Sequence, residues 1–333
     1  MLSMFSWQTQ PLTGLNFIGM VIGAVVTLAL ILGIVTYLIY FERKVIGWMQ
    51  NRIGPNRVGP FGLLQSVADV LKLLIKEDIV PANADRALFL LAPAIAFIPS
   101  FMVLAVIPYT ATHIFTAGLN IGVLYYIALS SITILGIVLG GWASNNKYSL
   151  VGGLRSAAQM ISYEIPLGMS VLGVVMLAGS LNLTTIVQHQ ATDRFGWYII
   201  PQIIGFVVFM IAAVAELNRT PFDLPEAESE LVAGYFTEYT GFRFAFFMLA
   251  EYVYVFALSA LATTLFLGGW TGPWLPSWLW FAVKTSAVIF FLFWVRATMP
   301  RLRVDQLMGF AWKVLIPVAL FNILLTGLLS LLV

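Results

Sequence analysis

The sequence predicts an all-α polytopic membrane protein, and three observations lead to this fold class. Of the 333 residues, 60% are hydrophobic and only 10% are charged, whereas about 25% of the residues of a soluble domain carry charge. The mean hydropathy of the chain is +0.94. Apolar runs of about 20 residues, each long enough to cross a bilayer core of about 30 Å, recur along the chain. Because the runs are continuous rather than alternating, they favour helices over barrel strands.

Eight apolar runs predict about eight transmembrane helices in a single integral membrane domain that covers residues 1–333. The predicted spans are roughly 17–40, 86–108, 120–142, 159–179, 199–217, 243–267, 278–297 and 309–331. Four prolines (Pro93, Pro99, Pro166 and Pro317) fall inside them. Membrane helices tolerate proline where neighbouring groups satisfy the freed carbonyls.

The distribution of lysine and arginine predicts the orientation of these spans. The first, third, fifth and seventh loops hold seven, two, two and three basic residues, whereas the opposite side, termini included, holds only Arg194. Lys284 and Lys313 lie in or beside spans. Since basic loops remain in the cytoplasm, we expect the odd-numbered loops to be cytoplasmic and both termini to lie outside.

The first cytoplasmic loop predicts an amphipathic helix. In "FGLLQSVADVLKLLIKED", apolar residues from Leu63 to Ile75 share one face at helical spacing, and Gln65, Asp69, Lys72 and Lys76 take the other. Such a helix lies at the membrane interface or under a partner. The preceding "GPNRVGP" is expected to break the chain sharply.

Acidic residues gather in one stretch, "AELNRTPFDLPEAESELVAGYFTEY". It holds six of the fifteen carboxylates, namely Glu216, Asp223, Glu226, Glu228, Glu230 and Glu238. Leu224-Pro225 predicts a helix that starts near residue 225, so Asp223 and Glu226 are explained as well by capping of its first turn. Crowded acids also acquire raised pKa values and exchange protons. The stretch therefore indicates either a solvated acidic loop or a proton-linked path.

Three acids lie within or at the ends of predicted spans: Glu164, Glu216 and Glu251. Acids at such depth face a protein interior or water and are often functional. Each is also explained by an ion pair or hydrogen bond that fixes helix packing. Glu42 is expected to end the first span, beside Arg43 and Lys44.

Arginines and aromatic residues form two further sets at the cytoplasmic ends. Arg52, Arg57, Arg296, Arg301 and Arg303 are explained as positive-inside anchors, and they also suit an acidic partner. The aromatic residues from Trp48 to Phe247 at this side indicate either an interfacial belt or a cavity for a flat lipid-soluble ligand. With no cysteine, and with His113 and His189 expected in connecting segments, we expect no metal site and no redox cofactor bound by this chain alone.

Four long motifs give the sequence a resemblance to a known family. These are "ERKVIGWMQNRIGPNRVGPFGLLQSVADVLKLLIKED", "GGWASNNKYSLVGGLRSAAQMISYE", "AELNRTPFDLPEAESELVAGYFTEY" and "RATMPRLRVDQLMGFAWKVLIP". In this order they resemble the H-subunit family of NADH-quinone oxidoreductase, the membrane component of respiratory complex I whose mitochondrial counterpart is NADH dehydrogenase subunit 1. The resemblance covers about residues 35–320, and the length and outward-facing ends fit the bacterial form.

The resemblance implies a multi-pass subunit of the bacterial cell membrane that joins the hydrophilic arm of a proton-translocating enzyme. FMN and iron–sulfur clusters would lie in partner subunits, with quinone as substrate, and the partners would be the quinone-site subunits, small membrane subunits and lipid, but no nucleic acid. Residues implied to border the quinone chamber are Arg43, Gln50, Arg52, Phe222, Phe242 and Arg296. Those implied in the acidic path are Glu164, Glu216, Asp223, Glu226, Glu228, Glu230 and Glu251, with Arg155 and Arg219 as basic partners.

Two other functions stay open at this point. A stand-alone proton-linked carrier also uses buried acids, but it is expected to show repeats and a midplane site, and no clear repeat is visible in this sequence. A related subunit of a membrane-bound hydrogenase-type complex would keep the fold. The motifs "GPNRVG" and "RTPFDLPEAESELV" favour the quinone enzyme, without indicating which quinone is used or whether protons or sodium ions are moved.

Overall fold

The computed structural model describes residues 14–110, 119–192, 196–224 and 231–332, and the regular elements within these ranges are helical. Eleven α-helices follow one another there. They are α1 (Gly14–Met49), α2 (Gln65–Ile75), α3 (Arg86–Met102), α4 (Gly122–Ala143), α5 (Lys147–Ala178), α6 (Leu183–Thr192), α7 (Ile203–Glu216), α8 (Gly241–Phe266), α9 (Ser277–Thr298), α10 (Val304–Phe310) and α11 (Ile316–Leu332). A 3-10 turn extends α3 to Val106, and one π-helical turn, Ala311–Leu315, joins α10 to α11.

Six helical stretches in the described part of the chain have the length and apolar composition needed to cross a membrane. They are Arg86–Val106, Gly122–Ala143, Lys147–Ala178, Gly241–Phe266, Ser277–Thr298 and Val304–Leu331. All four of the prolines expected inside spans lie within helices. An all-helical membrane protein is therefore confirmed, while the count of eight spans stays a prediction.

The two remaining predicted spans fall on helices of unusual length. Helix α1 contains 36 residues, and α7 contains only 14. At 1.5 Å per residue, α7 is about 21 Å long, which is shorter than a bilayer core of about 30 Å. The predicted fifth span begins at 199, but residues 199–202 form turns before α7 starts at Ile203.

Helix α5 begins earlier than the predicted span 159–179. Asn146 caps it by accepting the N–H of Tyr148 at 2.9 Å, and Gly179 ends it in a left-handed conformation with φ 63°. The first turns of α5 are rich in glycine and serine, so hydropathy alone does not mark them as helix. These small residues instead allow neighbouring helices to approach closely.

Helix α5 lies at the centre of the bundle, where it packs against α4, α7 and α11, and α3 packs on α4 and α8. Gly136 of α4 lies against α3, and a Cβ there would stand 2.6 Å from the backbone nitrogen of Ala96. Only glycine permits this approach, which sets the spacing between the two helices.

Buried polar groups hold the helix ends on the opposite side of the bundle from α2. Lys284 donates from Nζ to the carbonyl oxygens of Leu267 at 2.6 Å, Gly269 at 3.1 Å and Thr271 at 2.7 Å. These carbonyls follow the last turn of α8, where helical partners are missing. The Lys284 side chain therefore caps α8 from the neighbouring helix α9.

Helix α2 forms where the sequence predicts a helix in the first loop. Its apolar side chains, Leu71 and Ile75 among them, are exposed in this chain. On the opposite side Asp69 pairs with Arg43 of α1 at 2.5 Å. The segment after α2 is fastened to the start of α8, because Asp78 pairs with Arg243 at 2.9 Å. The break in "GPNRVGP" is confirmed, since no helix forms between residues 51 and 59.

Candidate functional site

A buried carboxylate shared by two arginines lies at the centre of the candidate site. Arg219 donates from Nη1 to Oε1 and Oε2 of Glu42 at 2.8 and 2.9 Å, and Arg296 donates to Oε1 of the same carboxylate. Glu42 is only 2% exposed and Arg219 only 8%. Charges at such depth need partners, since breaking a buried pair leaves an uncompensated charge. The cluster joins α1, α9 and the segment after α7.

Glu42 lies inside a continuous helix. The sequence places it at the end of the first span, which stays a prediction, and α1 continues past it to Met49. The hydropathy of the run falls at "ERK", but the helix continues there, and Glu42 and Arg43 have charged protein partners. A lone acid at the edge of an apolar run is the signal that indicates such a partner.

The loop that carries Arg219 is held in place by side chains of α5. Gln159 is fully buried and donates to the carbonyl oxygens of Ala215 and Phe222, each at 2.7 Å. Asn218 adopts φ 50° and donates to Ser156 Oγ at 3.0 Å. These bonds fix the turn that directs Arg219 toward Glu42. Gln159 carries no sequence signal that distinguishes it from other polar helix residues.

Electrostatics favour the charged form of Arg219. Burial opposes its charge, but Glu42 holds the pKa of the Arg219 guanidinium well above its usual range. The guanidinium also lies 4.5 Å from the centre of the Tyr252 ring, which adds a cation–π contact. With one carboxylate between two arginines, the cluster keeps one net positive charge.

The residues expected around a quinone chamber lie on several elements. Arg43 and Gln50 belong to α1 and its end, Arg52 follows, and Arg296 is in the last turn of α9. Within this set, among the described residues, the hydrogen bond from Arg52 Nε to Gln50 Oε1 at 2.7 Å is the only polar contact. Arg43 and Arg296 instead pair with Asp69 and Glu42.

The two aromatic residues of this set differ in environment. Phe222 is buried, with its ring centre 5.4 Å from that of Tyr163. Phe242 is exposed and lies 4.7 Å from Phe246, edge to face. The wider aromatic set also divides, because Tyr239 stacks on Phe89 at 4.2 Å inside a buried ring cluster. Packing in the protein interior thus accounts for the buried rings such as Phe222 and Tyr239, whereas Phe242 lies at the surface of the chain.

Glu216 and Glu251 line one internal cavity between α3, α4, α7 and α8. Polar side chains of Ser130, Thr133 and Asn218 share its wall. The volume of the cavity is about 30 Å³, and about 10–15 Å³ is enough for one water. A buried, partly polar space of this kind suits proton exchange between acids.

The acids near this cavity form two interacting groups. Glu164 accepts a hydrogen bond from Ser131, and its carboxyl group interacts electrostatically with that of Glu216. Glu251 accepts from the Tyr235 hydroxyl at 3.0 Å. Its carboxyl group interacts electrostatically with Arg219, Asp223 and Glu42, so the second group reaches the arginine cluster.

The other residues expected in the acidic path do not line this cavity or lie outside the described residues. Glu226, Glu228 and Glu230, together with the helix predicted to start near 225, lie outside the described residues. Arg155 lies on α5 and is partly buried. Arg219 belongs to the Glu42 cluster. In the described part of the chain, no group of three His, Cys, Asp or Glu residues is arranged to hold a metal ion.

Comparison with known proteins places the chain among related sequences. The family model described as NADH dehydrogenase matches residues 22–327. A relative from Brevibacillus brevis, named as the H subunit of NADH-quinone oxidoreductase, is 68% identical over 312 residues, which cover 92% of each chain. Relatives of the same name from Bacillus mycoides and Bacillus thuringiensis are 65% identical over 312 residues, again with 92% of each chain covered.

Proposed function

Because the chain belongs to the NADH dehydrogenase family, we propose that it is a membrane subunit of bacterial NADH-quinone oxidoreductase. In this function it forms much of the quinone-access chamber and couples quinone reduction to proton translocation. Quinone is the substrate of the assembly. FMN and iron–sulfur clusters belong to partner subunits, and this chain contributes no redox centre.

The observation that carries the proposal is the double pairing of Glu42. One of its arginines, Arg296, belongs to the set expected around the quinone chamber. The other, Arg219, interacts electrostatically with Glu251, which lines the acid-containing cavity. A change of charge beside Arg296 therefore changes how strongly the carboxylate of Glu42 neutralises the positive charge of Arg219. Because Glu42 and Arg219 are buried, solvent screens the interaction between them only weakly.

The charge of Arg219 in turn affects the protonation of the acids near the cavity. A less neutralised Arg219 favours the charged form of Glu251, and a more neutralised one favours its protonated form. Protons gained or lost there pass through the cavity to Glu216 and on to Glu164. Asp223, Glu226, Glu228 and Glu230 connect this path to the cytoplasm, with Arg155 as a further basic partner.

The membrane placement belongs to the same proposal. Eight spans cross the bilayer when α1 and α7 are added to the six apolar helices, with both termini outside and odd-numbered loops in the cytoplasm. Helix α1 is long enough, and residues from Val208 to Ala215 of α7 are largely buried by other helices. A helix enclosed by protein need not match the full thickness of the bilayer, since irregular backbone beside it is shielded from lipid.

Helix α2 supplies the docking surface for partner subunits in this proposal. It acts as an amphipathic helix whose exposed apolar face is covered by the hydrophilic arm, while its polar face pairs with α1 through Asp69. Small membrane subunits and lipid surround the remaining helices.

Glutamine substitutions in the acidic path test the proposed function. Glu216→Gln, Glu228→Gln and Glu251→Gln keep side-chain size but remove a titratable group, so we expect slower quinone-linked NADH oxidation and fewer protons moved per NADH. Glu77→Gln removes an exposed acid after α2 and is the matched control. The measurement is turnover and proton uptake in membranes, normalised to assembled complex. Wild-type rates and stoichiometry in all three path variants would refute the acidic path.

A further inference from the structure

Two oxygen atoms of residues that line the internal cavity lack a hydrogen-bond donor. Glu216 and Asn218 both line the cavity, and each is only 8% exposed. Ser130 contacts the carboxyl group of Glu216, but Glu216 Oε2 and Asn218 Oδ1 receive no hydrogen bond from the part of the chain that the structure describes. Leaving a buried acceptor without a donor is costly, so these two atoms indicate a ligand that donates hydrogen bonds.

The hydroxyl groups that line the cavity are engaged in other hydrogen bonds. The Tyr235 hydroxyl donates to Glu251 at 3.0 Å, and the hydroxyls of Thr133 and Tyr254 bond each other at 2.6 Å. The Ser130 hydroxyl donates to a backbone carbonyl oxygen of its own helix at 2.9 Å. The donor for the two oxygens therefore comes from a molecule inside the cavity.

The amide of Asn218 is oriented by its backbone and by one hydrogen bond. Its φ of 50° lies in the left-handed region, which asparagine adopts more readily than most residues that have a side chain. Its Nδ2 donates to Ser156 Oγ of α5 at 3.0 Å. Because Ser156 holds the nitrogen, the oxygen of the same amide is the atom that remains for the cavity.

A water molecule fits both the volume and the polarity of the cavity. The volume is about 30 Å³, and one water needs about 10–15 Å³ and two to four polar partners. Water has two hydrogens to donate, one for Glu216 Oε2 and one for Asn218 Oδ1. A metal ion fits less well, since no group of three His, Cys, Asp or Glu residues among the described ones is arranged to hold one.

We propose that Asn218 is a positioning residue, which holds a water molecule between Glu216 and Glu251 so that protons pass from one carboxyl group to the other. The water takes a proton from protonated Glu251 and gives one of its own protons to Glu216 Oε2, so it is again water after the transfer. Asn218 keeps its protons and fixes the place of the water. The inference rests on the proposed function, because it supplies the step between two acids of the proposed path.

A structure of the assembled complex that shows ordered water tests the site directly. We expect a water within about 3 Å of both Glu216 Oε2 and Asn218 Oδ1. In Asn218→Gly this water should be lost or displaced, since glycine keeps the left-handed backbone but removes the amide. Ser156→Ala removes only the bond to Nδ2 and should keep the water. A well-ordered cavity wall without water at this position, or with a metal ion there, would overturn the proposal.

Turnover distinguishes the positioning of water from a purely structural role of Asn218. Quinone-linked NADH oxidation per assembled complex should fall roughly fivefold in Asn218→Gly, the rate equivalent of one lost hydrogen bond. Ser156→Ala measures the structural contribution of the same amide, so its rate should fall clearly less. Asn218→Asp keeps an acceptor oxygen and should restore part of the rate. Equal rates in Asn218→Gly and Ser156→Ala would refute the positioning role.

The glutamine variants of the two acids separate this inference from the proposed function. Slow turnover in Glu216→Gln and Glu251→Gln, together with a wild-type rate in Asn218→Gly, would overturn the role of Asn218 alone. Wild-type rates in all three variants would overturn the acidic path as well.

Discussion

Replacing Glu42 by glutamine removes the charge that neutralises two arginines while changing the size of the side chain very little. Arg219 then loses two charge-assisted bonds of 2.8 and 2.9 Å in a site where it is 8% exposed. Leaving one partner of a buried ion pair without the other costs about 3–5 kcal/mol. Glutamine keeps one oxygen that accepts a hydrogen bond, so we expect a loss near the lower end, about 3 kcal/mol.

Stability and function are measured separately for this variant. The amount of assembled complex and its resistance to detergent report on the loss of stability. Quinone-linked NADH oxidation per assembled complex reports on the link between Arg296 and Arg219. Glu42→Asp keeps the charge but withdraws it by one methylene, so it should restore part of the stability and part of the turnover.

A double-mutant cycle isolates the pair itself. Glu42→Gln, Arg219→Gln and the double variant are compared, and contacting charged groups should show a coupling of at least about 1 kcal/mol. The double variant should be less destabilised than the sum of the single ones, because it leaves no unpaired charge between the two positions. Additive effects, or a Glu42→Gln complex with wild-type stability and turnover, would refute the central position given to Glu42.

Three further variants test other parts of the structure. Leu71→Glu places a carboxylate on the exposed apolar face of α2 and should release the hydrophilic arm, since burying it unpaired costs several kcal/mol; Lys72→Glu adds an acid on the opposite face, and equal assembly of both variants argues against docking. Lys284→Met leaves three carbonyls after α8 without their donor and should lower the amount of folded subunit. Lys313→Met, at an exposed lysine, should not lower it. Equal amounts of folded subunit in the two variants would contradict the capping of α8 by Lys284. Arg52→Ala removes an exposed side chain bonded to its neighbour, so stability should change by only about 0.5 kcal/mol while quinone reduction slows and Arg52→Lys restores it in part; normal quinone kinetics would remove Arg52 from the chamber.

The amino-acid sequence by itself determined the helical membrane class and the family. Continuous apolar runs are a local property, because a span of about 20 residues has few ways to satisfy its backbone other than as a helix. The break at "GPNRVGP" and the helix that follows it were likewise readable from glycine, proline and helical spacing. The ends of the helices were harder to predict from the sequence. Helix α5 begins at Lys147 and α1 continues beyond Glu42. Packing and ion pairs stabilise both helices at positions where the hydropathy of the sequence is low.

Only the tertiary structure decided which charges meet. Glu42 and Arg296 are separated by 254 positions along the chain, and no periodicity links residues so far apart. The family resemblance implied that Arg219 is a basic partner of the acidic path, and only the fold showed that Arg219 also pairs with Glu42, through the turn that Gln159 holds. A buried charge is stable only beside the partner that the packing of helices brings to it, so the pairing depends on the arrangement of α1, α5, α7 and α9 together.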